Sequence, residues 1–186
     1  MRDKHNRTGT AYALTTFTAI LPGHVDEVRA TIEGVPRGAD SPLARLTQLH
    51  TSRLQIFDKL VYQGAPQKYD ELKNAYLVFT AAFDGDVDRF LDDVATTVPE
   101  ADSWWRHCVA YPGLADHGAF RRWIYHNQLD TSLFGVNSQN VSVSQVKESL
   151  SARERVVQFA IAAQGLDASS LQQRFNETFM KEKAGH

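Results

Sequence analysis

Only one cysteine, Cys108, occurs among the 186 residues. No disulfide can close within the chain, so folding must rest on packing, as suits a reducing compartment such as the cytoplasm. An excess of charge is also missing: 20 Lys and Arg stand against 22 Asp and Glu, which leaves no global field to gather phosphates and disfavours nucleic acid as a partner. No stretch approaches the ~20 consecutive apolar residues of a membrane span, and no membrane association is expected. Arg2, Lys4 and Arg7 ahead of an apolar run over 11–21 imitate a secretory leader. Thr15, Thr16 and Thr18 interrupt that run, and its β-branched content suits a strand. Also absent are a G-x-S-x-G elbow, a phosphate-cradling glycine loop, an H-E-x-x-H pair and paired cysteines. These absences argue against a serine hydrolase, P-loop nucleotide binding and a structural zinc site, so no metal is expected.

What is present is a chain with 42% hydrophobic residues, enough to bury a core. Strand, amphipathic helix, strand runs twice between Ala11 and Tyr111. The spacing predicts strands over 12–21, 48–57, 75–83 and 104–111. Val25, Val28 and Ile32 mark one helical stripe; Val87, Phe90, Leu91, Val94 and Val98 mark a second, opened by Asp84 or Asp86 as a cap. Residues 1–10 are polar and expected to fray, and 58–73 is expected to form an exposed excursion. Beyond Leu114 the pattern becomes mainly helical, with helices over 115–127, 143–163 and 167–183 and a short edge strand over 133–136. Ser142 and Gln145 resemble a capping box, and Val146, Leu150, Val157, Ala160 and Ile161 form the stripe expected to be buried. The chain thus divides into an α+β domain over 11–113 and a helical C-terminal extension over 114–186 packed on it.

The strands over 14–20 and 76–83 are apolar or small on both faces. One layer of helices covers only one face of a sheet, so the other face needs a partner or a cavity. In 48–57, alternation sends His50, Ser52, Leu54 and Ile56 one way and Thr51, Arg53, Gln55 and Phe57 the other.

The phrases ALTTFTAILPGH, TQLHTSRLQIFD, YLVFTAAFDGD and HCVAYPG, in this element order, resemble the ferredoxin-like domains of the dimeric α+β barrel superfamily. They are also similar to those of a group of bacterial proteins without established activity. The resemblance covers roughly half the chain. It implies a split βαβ sheet that pairs with a second copy into a barrel around a pocket, hence a homodimer. It further implies an enzyme acting on a small hydrophobic or aromatic molecule, as an oxidoreductase or a cofactor-independent monooxygenase or cyclase, with or without haem. The alternative is a non-catalytic small-molecule-binding or dimeric assembly protein. FDGD over 83–86 only partly echoes the GxxDG signature of haem peroxidases and is equally explained as a helix cap.

Within that frame Arg53 and His107 are the candidate catalytic residues. Arg53, with Thr51, Gln55 and Phe57, forms a mixed polar and apolar set suited to a ligand cavity; the other reading pairs Arg53 with Asp58 or Asp84. His107 could move a proton or ligate haem iron, with Trp105 as an apolar wall, or could be a hydrogen-bonded histidine at a sheet end. His50 joins the substrate-binding set only if a bulge turns it to the face of Arg53.

Overall fold

The structure is a computed structural model, and residues 5–67, 72–136 and 141–180 are described. The protein is α+β. Its strands are β1 (Arg7–Thr8), β2 (Ala11–Ala19), β3 (Leu49–Phe57) and β4 (Tyr76–Asp84), in one antiparallel sheet of order β1-β2-β4-β3. The helices are α1 (Val25–Glu33), α2 (Val87–Thr97), α3 (Ala101–Trp105), α4 (His117–Asn127), α5 (Val143–Ala162) and α6 (Ala168–Phe175). None of the described helices is long and apolar enough to cross a membrane. Contacts divide the chain into two compact units, Met1–Val143 and Ser144–His186. Residues 114–143, which the sequence pattern groups with the helical extension, fall in the first.

Alternation along the strands produces two unlike sheet faces. Tyr12 and Leu14 of β2, Ile20 just beyond its end, and Leu77, Phe79, Ala81 and Phe83 of β4 are buried in a core completed by helical residues. From α2 these are Val87, Phe90, Leu91 and Val94, with Val98 just beyond, the stripe the 3.6-residue spacing predicts. Asp86 starts this helix by accepting from the amides of Asp88 and Arg89 at 2.9 and 3.2 Å, satisfying two of the donors a helix start leaves open. Phe120, Trp123 and Ile124 bring α4 into the same core.

The fourth long strand is not there. Residues 101–105 are helical, and the expected strand over 104–111 is reduced to a single bridge between Cys108 and Ile20. That bridge is flanked by Leu21 N–H donating to the His107 carbonyl and Val109 N–H donating to the Ala19 carbonyl, both at 2.8 Å. Trp104 and Trp105 are adjacent, yet both are 1% exposed. A strand in a sheet would point them to opposite faces, whereas a single helical turn can bury both. On the other side Ala110 takes a positive φ of 54°, which ends extended pairing before Pro112.

The outer edge of β2 is therefore closed in three pieces. β1 pairs at Ala11 and Tyr12, Gln128 bridges Thr16, and Cys108 bridges Ile20. Residues 5–10 are accordingly ordered rather than frayed. Gly9, at φ 60°, turns the chain between the first two strands. Asn6 is fully buried and accepts from the Thr131 amide at 2.8 Å. No strand forms over 133–136.

In the second unit Phe159 of α5 meets Phe175 and Phe179 at ring separations of 5.9 and 5.3 Å. A π turn at Asn176–Met180 continues α6, and residues 181–183 of the expected helix lie outside the described residues. The stripe expected to be buried is exposed: Val146, Leu150, Val157 and Ile161 are 40–59% accessible and Ala160 is exposed. Two helices offer each other one contact face apiece, and here that contact uses Phe159, leaving the aliphatic row uncovered.

Candidate functional site

The face of the sheet opposite the core carries three residues deep rows set by strand register. Ala13, Ala82 and Thr51 form one row; Thr15, Thr80 and Arg53 the next; Phe17, Val78 and Gln55 the third; Ala19, Tyr76 and Phe57 the last. Thr51, Arg53, Gln55 and Phe57 share this face, as their alternation predicts, and all four are exposed, while Thr15, Phe17, Tyr76 and Thr80 are half-buried. Phe17 holds the apolar end together, 6.0 Å from the Phe57 ring and 5.4 Å from that of Tyr76. Both acids considered as partners of Arg53 are engaged elsewhere. Asp58 accepts from Arg29 at 2.6 Å; Asp84 accepts from the Val143 amide at 2.7 Å and lies 2.8 Å from His50 Nε2. Among the described residues Arg53 has no carboxylate partner.

The bulge on which the role of His50 depends is present. Leu49 pairs with Phe83 and Thr51 with the adjacent Ala82, so His50 is the extra residue. It is thereby turned to Asp84, which shares the outer face with Thr80 and Ala82. The Asp84 side chain is 12% exposed and that of His50 31%, a carboxylate fixed by backbone contact that in turn orients an imidazole.

His107 belongs to a different place. Its Nε2 lies 3.2 Å from Glu27 Oε2, and the same oxygen is 3.0 Å from His24 Nδ1. The two imidazoles stack with centroids 4.4 Å apart and planes 11° from parallel. His24 caps α1 without a side-chain cap bond, and Glu27 lies in its first turn. His107 is held alongside by the Leu21 to His107 backbone bond. The hydrogen bond with His24 holds the Glu27 carboxyl below the usual carboxylate range, with the charges of both histidines adding to it.

Haem does not fit at His107 as it stands. Its Nε2 is directed at a carboxylate, and one ring face is covered by His24. Trp105, expected as the pocket wall, is buried on the core side against Phe79, Phe120 and Trp123. Nor do Arg53 and His107 meet. The segment at 107–109 borders β2 while Arg53 lies on β3, with β4 between, so three strand spacings, roughly 14 Å, separate them.

The outer-face set was readable from alternation along one strand. The His24, Glu27 and His107 cluster was not, although a His and a Glu three residues apart at a helix start are a signal. Its third member arrives from far along the chain. Comparison of the chain with family models, with curated proteins and with solved structures gives no match in any of the three.

Proposed function

We propose that the chain is a homodimeric, ferredoxin-like α+β barrel protein whose outer sheet face binds a small aromatic molecule bearing an anionic oxygen, as the substrate site of an enzyme that oxidises or rearranges it. The observation that carries this reading is Arg53, a guanidinium with no carboxylate partner among the described residues, in the row of Thr15 and Thr80 and next to the row of Phe17, Val78 and Gln55, with Tyr76 and Phe57 one row further on. A face of this kind offers an aromatic wall and a cation available to an anionic oxygen. The strand order β2-β4-β3, with 107–109 beside β2, supports the ferredoxin-like part. The uncovered aliphatic row of α5 supports a second copy.

In this reading Arg53 orients and stabilises the anionic oxygen. Proton transfer falls to His50, oriented by Asp84 on the same face, rather than to His107 at the opposite edge. Arg53→Ala should weaken binding of anilinonaphthalene sulfonate, an anionic aromatic probe, by about ten- to a hundredfold, the worth of a charge-assisted hydrogen bond. Its urea midpoint should stay unchanged. Equal binding, or a loss that merely tracks stability, sinks the site; a monomer by light scattering sinks the barrel. The α5 row by itself also suits a second reading, a non-catalytic assembly protein, which dimerisation with undiminished probe binding in the Arg53 variant would select.

A further inference from the structure

We infer that His24, Glu27 and His107 form a binding site for one divalent transition-metal ion of the zinc, cobalt or iron kind. The site is separate from the outer-face proposal and does not rest on it. Each residue offers one ligand atom, and the three atoms lie within 4.8 Å of one another. Two imidazole nitrogens and a carboxylate oxygen are the donor set such borderline ions select, and hard calcium or magnesium sites do not use imidazole in this way.

The spacing is close to what coordination needs. Ligand bonds of about 2.0–2.2 Å in a tetrahedral or octahedral shell put neighbouring donors roughly 3 Å apart, and Glu27 Oε2 already stands 3.0 and 3.2 Å from the two nitrogens. What must change is the stacking. Two parallel rings cannot both aim a lone pair at one point, so the imidazoles have to splay about the shared oxygen. They have room: the His24, Glu27 and His107 side chains are 38%, 59% and 28% exposed. The backbone positions need not move, because α1 sets the His24 to Glu27 interval and the Leu21 and Val109 bonds on either side of Cys108 hold the His107 segment against β2.

Three protein ligands at a half-exposed site leave a coordination position open to water, the arrangement of a reactive rather than a purely structural ion.

Titration of the full chain with Zn2+ by calorimetry, and with Co2+ by its visible absorption, should show one ion per chain. His107→Ala and Glu27→Gln should each weaken binding at least tenfold, the loss typical when a metal's protein support is removed, with circular dichroism unchanged. His50→Ala, whose imidazole belongs to the outer face, should bind as the parent does and so separates this site from the one proposed above. No stoichiometric binding of either ion, or binding undiminished in the double variant of His107 and Glu27, overturns the assignment. Should the His107 variant fail to fold, Glu27→Gln alone decides, since that carboxylate is exposed and isosterically replaced.

Discussion

Trp105→Ala is expected to remove about 3–5 kcal/mol of folding stability, the cost of emptying a core aromatic site. Trp105 is 1% exposed and lies among Phe79, Trp104, Phe120 and Trp123, with centroid separations of 5.4–6.3 Å. It therefore joins the sheet, α3 and α4 in one aromatic cluster. A domain stable by about 5–15 kcal/mol loses a fifth or more of its margin, visible as a large fall in the urea midpoint. Trp105→Phe should cost far less. Its indole N–H is buried without a hydrogen-bond partner among the described residues, so phenyl loses volume while removing a polar group whose burial is itself unfavourable. Two variants of similar, small effect would show that the cluster does not bear the core. Because the residue faces the core side, Trp105→Phe should leave probe binding on the outer face unchanged.

Cys108 should resist alkylation in the folded protein by about 200-fold relative to the unfolded chain at pH 8. Burial pushes its thiol up to about 11, against a weaker opposing contribution from the Thr18 hydroxyl, 3.5 Å from Sγ. An unfolded thiol near 8.5 is about one quarter thiolate at pH 8, and one at about 11 only about one part in a thousand. Iodoacetamide rates in buffer and in urea measure the ratio, and rates within tenfold of each other would contradict it. The same shift sets an alkaline limit. Above the unfolded value of about 8.5 the unfolded chain releases the proton that the folded chain retains, so stability is complete below that pH and declines as pH rises towards about 11. The loss should be on the order of 2 kcal/mol by pH 10.5. Burial, reinforced by the Asp102 charge, pushes the Tyr111 hydroxyl up as well, adding to the decline in the same direction. Cys108→Ala should flatten the thiol's part of that curve in denaturation series from pH 7.5 to 10.5.

How much of this could be read from the residues depended on how local the deciding interaction was. The three long strands and α2 follow from alternation and from a 3.6-residue stripe, both properties of a single segment. The outer-face set on β3 follows in the same way, and even the turning of His50 was recognisable as a condition to be met by a bulge. The 104–111 segment misled because Trp104, Trp105, Cys108 and Val109 have strand-like composition. Their fate was decided by core space for two adjacent indoles, a tertiary demand that overrides propensity. Arg7 and Thr8 look polar and terminal, yet pair because Gly9 permits the turn. The α5 row was legible as a stripe but not as an exposed one, since periodicity reveals an amphipathic face without saying what meets it. His24 and Glu27 are visible as neighbours; that His107 joins them depends on which edge of β2 the distant segment chooses.

The three short pieces along one border of β2 leave β3 as the terminal strand on the other side of the ladder. Successive amides of a strand point alternately to left and right, so about half of those on β3 face outward with no neighbouring strand among the described residues. In deuterated water these should exchange early, while the amides of β2 and β4, flanked on both sides, persist. Any chain that adds itself to the sheet by backbone pairing has one side from which to enter, and it would slow those same outward amides of β3 as it did so.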